Sequence, residues 1–317
     1  MPTWCQEMRK IVYFCPKINA PSGGVKVIHR HSEIINAIGG SSEIFYIRPK
    51  DDKVDWFVHD AVIRTHADFD SRLDFVILPE TQIFDTWSGL KESGVEYAIF
   101  VQNGYLISES ISFRDAQDCY AGAKFIICIS DDAIRCVHQF FPAHTDKIIR
   151  VTYSVDGDLF KPSVKDKIIT YMPRKMRPHS SIVVPILKEK LPSGWSIRAI
   201  DGLSEAEVAK ALGESRIFLA FSDFEGLPVP PVEAAFAGNF VIGYTGQGGR
   251  EYWNPPVFES VDSGDIVRFT DAVLKRISDI ETYGMELNDS HTVMLRESFS
   301  REMERKLLQR MVETILE

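Results

Sequence analysis

Glu225 and Glu233 lie eight positions apart in the stretch FSDFEGLPVPPVEAAFAGNFVIGYTGQGGREYW (residues 221–253), around Gly226, Pro228, Pro230 and Pro231 and ahead of a glycine-rich turn. Prolines break helices and glycines loosen loops, so stability alone does not account for such a stretch. The apolar run RIFLAFS predicts a buried strand, and PPVEAAFAG predicts a helix with proline near its first turn. DFEGLPV therefore joins the carboxyl end of a strand to the N-terminus of a helix. Free backbone amides and the positive helix pole at such a place favour an anion, commonly a phosphate. Gly226 lets the backbone come close to that phosphate. A carboxylate does not bind phosphate, but it accepts hydrogen bonds from hydroxyl groups. Glu233, expected in the first turn of the helix, suits a vicinal diol such as a ribose; Glu225, at the lip of the loop, suits a second polyhydroxyl group. A phosphate between two hydroxyl-binding carboxylates outlines a nucleotide sugar. Either glutamate alone reads first as an ordinary acid, since the helix dipole favours Glu in a first turn whatever its task. The strand, Glu-Gly, Pro-Pro, Glu, helix setting is what makes the pair a candidate site.

Other candidates are plainer. His29 and His31 are two apart and are expected on different faces of a helix, without the H-E-x-x-H spacing of a zinc site. Glu80 follows a predicted strand and reads as a loop acid, with approach to an acceptor as the alternative. GQGGREYW carries neither a Walker nor a G-x-G-x-x-G fingerprint. Within it Thr245 and Gly246 are candidates to approach a ribose or phosphate, while Tyr252 and Trp253 are expected to pack at the base of the loop.

The chain that must position these residues has 317 of them, enough for two domains. Its 36 Lys+Arg against 45 Asp+Glu give a formal net charge of −9, which disfavours nucleic acid and anionic lipid in the absence of a long basic run. Five cysteines without C-x-x-C spacing argue against a disulfide framework and a zinc centre. Cys15 and Cys128 fall in apolar runs and read as small core residues. No apolar stretch approaches the roughly 20 residues of a membrane span, and MPTWCQEMRK lacks the apolar core of a secretory signal. These features lead to the expectation of a soluble, reduced, intracellular protein.

KIVYFC, EIFYI, LDFVILP, YAIFVQ and AKFIICIS read as buried strands separated by helical patterns. Between the first two, Val27, Ile28, His31, Ile34, Ile35 and Ile38 share one helix face that ends at Gly39-Gly40, giving a βαβ unit. A second series, KDKIITYM, SIRAID, RIFLAFS and NFVIGYT, follows the Asp-, Gly- and Pro-punctuated segment SVDGDLFKPS. The expected class is α/β, with two Rossmann-like, doubly wound domains facing each other across a cleft. The first covers 1–155 and is rejoined by a C-terminal helix at 298–317; the second covers 156–297.

The stretch Glu225-Gly226-Leu227-Pro228-Val229-Pro230-Pro231-Val232-Glu233-Ala234-Ala235-Phe236-Ala237-Gly238 resembles the nucleotide-sugar signature of family 4 (group 1) glycosyltransferases, a pattern like E-G-F-G-L-P-x-x-E-A-M-A-x-G. PSGGVKVIHRHSEIINAIG is similar to that family's first glycine loop and helix, TYSVDGDLFKP to its interdomain joint, and IDGLSEAEVAKALGESRIFLAFS to the run before the signature. The resemblance covers most of the chain and is strongest from about 150 to 255.

The resemblance implies GT-B architecture and transfer of a sugar from a nucleoside diphosphate with retention of configuration. The donor is expected to be UDP-glucose-like and the acceptor a saccharide or a lipid-linked one, in glycan synthesis, with no metal or other cofactor. It implies that a basic pair from the first loop of the second domain meets the diphosphate; Arg174 and Lys175 stand there, with Arg177 behind them. Cations aimed at the leaving group stabilise the charge that develops on it; the plainer reading is a solvated basic turn. Gly226, Leu227, Val229 and Thr245 are then expected against the donor, with Glu233 at the ribose and Glu225 at the sugar. Gly23, Gly24 and Asn103 are expected on the acceptor side. The implied setting is cytoplasmic, with peripheral contact at the inner face of a membrane left open. Two departures stand out: Pro228 replaces a glycine and has no N–H to offer, and Gln102-Asn103 stand where relatives carry a histidine. They keep alive a binding subunit without transfer activity, beside a sugar-nucleotide hydrolase or epimerase on the same scaffold.

Overall fold

The computed structural model describes residues 9–16, 21–47, 54, 56–107 and 112–317; Cys5 lies outside them. The chain divides into two compact units, Met1–Tyr153 with Glu302–Glu317, and Ser154–Arg301.

In the first unit the apolar runs form parallel strands β1 (Lys10–Cys15), β2 (Ser42–Tyr46), β3 (Ile63–Arg64), β4 (Asp74–Pro79), β5 (Glu96–Val101), β6 (Phe125–Cys128) and β7 (Ile148–Arg150). They are arranged 3-2-1-4-5-6-7, a Rossmann order with one strand added. Helices α1 (Gly23–Ala37), α2 (Ile83–Ser93), α3 (Phe113–Gly122) and α4 (Asp131–Phe140) connect them. Residues of α2, α3 and α4, including Leu90, Cys119, Tyr120 and Val137, form one core with the inner strands. Both histidines of α1 are fully buried, on different faces of the helix as their spacing predicts. His29 bonds Val25 O and the Tyr46 hydroxyl, and His31 stacks on Phe100. Burial holds them far below the usual histidine range, to about 4 and about 3 respectively. Cys15, Cys119 and Cys128 are free and buried.

The second unit carries β8 (Ile168–Tyr171), β9 (Ser196–Ala199), β10 (Ile217–Ala220), β11 (Phe240–Gly243) and β12 (Phe258–Ser260), all parallel, in the order 12-11-10-8-9. Helices α5 (Arg177–Lys190), α6 (Glu205–Glu214), α7 (Val229–Phe236), α8 (Ile266–Tyr283) and α9 (Asp289–Ser298) complete it, and α10 (Arg301–Leu316) follows. Val183 and Leu187 of α5 and Phe269, Val273 and Ile277 of α8 pack with the strands in one core, while α6 and α7 contact each other. After β9 the chain crosses back over β8 to lay down β10. The switch point of a doubly wound sheet therefore falls between β8 and β10, and ligands bind beyond the carboxyl ends of such a pair. No helix among the described residues is long and apolar enough to cross a membrane.

Helix α7 has eight residues, two of them proline, too few to be stable alone. Its C-terminal carbonyls are taken by groups from elsewhere in the unit. Gly238 N–H bonds Ala235 O and Asn239 N–H bonds Ala234 O, a Schellman ending in which Gly238 takes positive φ. Arg296 donates to Phe236 O at 2.6 Å. Lys165, half-buried among the helix ends, donates to Ala237 O, Leu212 O and Ser215 O. Replacing Lys165 with Met keeps the aliphatic stem and removes all three bonds, and should destabilise the second unit by about 2–4 kcal/mol. Urea unfolding measures this; an unchanged midpoint would show that Lys165 does not clamp α7.

Candidate functional site

The loops after β8, β10 and β11 carry the residues singled out in the sequence. Those after β10 and β11 are held together by backbone contacts that require glycine. Glu225 N–H donates to Gly246 O at 2.8 Å, and Gly248 N–H returns to Glu225 O at 3.0 Å. Glu225 and Gln247 form an isolated parallel bridge. A Cβ on Gly248 would lie 1.8 Å from Gly226 O, so the two loops interlock through their bare backbones. Behind them the Tyr252 hydroxyl donates to Pro228 O at 2.8 Å, which places buried Tyr252 at the base of the loop.

Among the described residues, three non-glycines take positive φ: Met176, Phe224 and Gln247. They fall in the loops after β8, β10 and β11, three neighbouring strands. Such conformations cost of order 1–3 kcal/mol each and collect at functional sites. Phe224 is also 58% exposed.

Helix α7 begins at Val229, so Glu233 is its fifth residue, in the second turn rather than the first. Pro230 and Pro231 occupy the second and third positions and have no N–H. The amide donors at this helix start are thereby thinned, and Val229 supplies the first. Leu227 is buried, Val229 and Glu233 half-buried.

Lys175 and Glu225 meet at the switch point: Lys175 Nζ bonds Glu225 Oε1, with side chains 32% and 26% exposed. A charge pair this exposed is worth about 0–1 kcal/mol, so an anionic ligand can take Lys175 from its partner. Arg174 is exposed three residues before helix α5, which opens with exposed Arg177. Thr245 lines a cavity of about 230 Å³ at the ends of β10, β11 and β12, with Asp223, Gln247, Arg250, Trp253 and Asp262. The sequence reading missed this cavity, because its walls come from three loops and only one of them contains a motif. Among the described residues no group of three His, Cys, Asp or Glu stands close enough to hold a metal ion.

In the first unit, Gly23 and Gly24 open α1. A Cβ on Gly24 would lie 2.1 Å from Gln102 Oε1, and Gln102 Nε2 donates to Gly24 O at 3.3 Å. Gln102 at the end of β5 and Gly24 thus pack on each other. Asn103 Oδ1 accepts the Tyr105 N–H and caps the short turn Gly104–Leu106. Glu80, read as a loop acid, is instead buried, and it accepts the backbone N–H groups of Gln102 at 3.2 Å and Asn103 at 2.9 Å. It orders the loop that carries them. Burial pushes its carboxyl up from 4.5 to about 7, while these N–H groups pull the other way.

Two outcomes follow from this geometry. Gly248→Ala drives a methyl into the Gly226 carbonyl and should destabilise the second unit by about 1–3 kcal/mol; a thermal midpoint equal to wild type would refute the interlock. A raised carboxyl favours the folded state most when neutral. The contribution of Glu80 is therefore complete below pH 4.5 and is lost as pH rises through about 7, a change of roughly 3 kcal/mol. Glu80→Gln should lack this component, so the difference between the two unfolding free energies should grow across that window. A difference independent of pH would sink the assignment.

No protein-family model matches the chain. An alpha-1,6-glucosyltransferase of Actinobacillus pleuropneumoniae serotype 7 (strain AP76) is 28% identical over 144 residues, 42% of this chain and 43% of that enzyme, so the match spans less than half of the relative. The fold agrees over nearly the whole chain with a glycosyltransferase from Rickettsia africae, at TM-score 0.70 and 15% identity, covering 98% of this chain and 99% of that one. It agrees equally with HepE of Anabaena, solved in complex with UDP-glucose, at TM-score 0.71 and 9% identity, covering 97% and 99%. These likenesses fix the architecture: two Rossmann-like α/β units with the fold of GT-B glycosyltransferases.

Proposed function

We propose that the chain is a glycosyltransferase that moves a sugar from a nucleoside diphosphate, most simply UDP-glucose, to a saccharide or lipid-linked acceptor in glycan synthesis, with retention at the anomeric carbon. The observation that carries the proposal is the meeting of Lys175 and Glu225 across the switch point. It sets a cation for the diphosphate beside a carboxylate for sugar hydroxyls. The partial relative is named a glucosyltransferase, and the Anabaena protein of like fold was solved with UDP-glucose and with UDP and glucose. In this reading Lys175 and Arg174 stabilise the negative charge that develops on the leaving diphosphate, in place of a divalent metal. Removing one such donor typically costs about 10²–10³ in rate. The amides of Leu227 and Val229 face the phosphates, Glu233 takes the ribose diol, Glu225 the transferred sugar, and Thr245 stands beside it. Gly23, Gly24 and Asn103 border the acceptor. The reaction is placed in the cytoplasm, where a lipid-linked acceptor would be met at the inner face of a membrane.

Titration calorimetry with UDP, GDP and ADP tests the reading. UDP should bind, and Glu233→Ala should weaken it at least tenfold, about 1.4 kcal/mol. Failure of a folded sample to bind any of the three would end the transferase reading. UDP binding without turnover on any acceptor would select a binding subunit instead, the reading that Pro228 favours by removing an amide donor.

A further inference from the structure

The strand ends of the second unit stand in the row β9, β8, β10, β11, β12. A nucleotide sugar is itself linear: nucleoside, diphosphate, sugar. With the diphosphate at Lys175, between β8 and β10, one end of the ligand runs toward β9 and the other toward β11 and β12. The cavity at the latter end measures about 230 Å³, below the roughly 300–1,000 Å³ of pockets that enclose drug-sized ligands. A single sugar ring, the smaller end, fits within such a volume. The cavity's chemistry agrees. Among the described residues, the side chains of Asp223, Gln247, Arg250, Asp262 and Ser263 make no hydrogen bond or ion pair with the protein, although all line the cavity. Two carboxylates against one guanidinium favour neutral hydroxyl groups over a further anion. Trp253, also lining the cavity, is buried and carries an indole N–H with no hydrogen-bond partner.

We propose that this cavity is the subsite for the donor's sugar ring, and that Asp223 and Asp262 determine which sugar is accepted by bonding its hydroxyl groups. The inference rests on the proposed function and deepens it, since Asp262 lies outside the stretch that suggested a nucleotide sugar and Asp223 carries no role in that reading. The test is the affinity of wild type, Asp223→Asn and Asp262→Asn for UDP, UDP-glucose and UDP-galactose, with thermal midpoints to show that the variants fold. UDP should bind all three proteins within about twofold. The gain in affinity that the sugar confers on the nucleotide should fall at least about tenfold in one or both variants, with loss of discrimination between the two epimers. UDP binding with an unchanged sugar increment in both variants overturns the assignment, as does a wild type that gains nothing from either sugar. A folded wild type that does not bind UDP overturns the proposed function itself, and the subsite with it.

Discussion

The close approach of Gly226 and Gly248 is the constraint on which the loops at the carboxyl ends of β10 and β11 depend. Strands β10 and β11 pair through Ala220 and Gly243, and pairing resumes beyond their ends at Glu225 and Gln247. Between these points one chain uses five residues, 221–225, and the other four, 244–247. The extra residue must be absorbed, as in a bulge, and the positive φ of Phe224 and Gln247 marks where the backbone does so. Without side chains at 226 and 248 the two loops come together as bare backbone, and Glu225 is delivered to the lip of the sheet with its N–H and C=O already bonded. Its backbone is fixed by the paired loops, four residues before α7 begins at Val229.

Helix α7 answers to the same constraint from the other side. Its prolines remove amide donors that would otherwise crowd its start, and the Tyr252 hydroxyl ties Pro228 O to the loop after β11. The far end is closed by Gly238, Asn239, Arg296 and Lys165. A helix of eight residues can then present Glu233 without the intrinsic stability that its composition denies it. The first unit solves the same problem with one buried acid: Glu80, after β4, orders the loop after β5 by taking two of its amides. In both units a loop beyond a strand end is fixed by groups that belong to the neighbouring strand's loop.

Much of this was legible in the sequence, and the exceptions share a cause. Nine of the strand runs and the glutamate–proline loop announce themselves by local apolar pattern and turn chemistry. β3, two residues long, and β12, three residues long, carry too little pattern to be read. They are strands because β2 and β11 offer them an edge. Glu233 was expected in a first turn because proline favours the opening of a helix; here the helix opens one residue before the prolines, at Val229. His29 and His31 do lie on different faces, and α1 buries one against Tyr46 and Phe57 and the other against Tyr13 and Phe100; their burial, set by those distant aromatics, is what the spacing does not reveal. Glu80 looked like a surface acid because the amides that hold it lie more than twenty residues further on.

The cavity beside Thr245 was least legible for the same reason, carried further. Asp223, Arg250 and Asp262 are ordinary polar residues in three separate loops, and no spacing joins them. What joins them is the parallel order of β10, β11 and β12, which brings the three carboxyl ends to one edge of the sheet. A motif read along one segment can disclose how a phosphate is held, because a single strand-to-helix turn is enough to hold it. The shape of a sugar ring has to be read by groups on several sides at once. In the proposed reading those groups come from loops that only the completed sheet makes neighbours, so selectivity for one sugar would be written in the topology before it is written in any stretch of sequence.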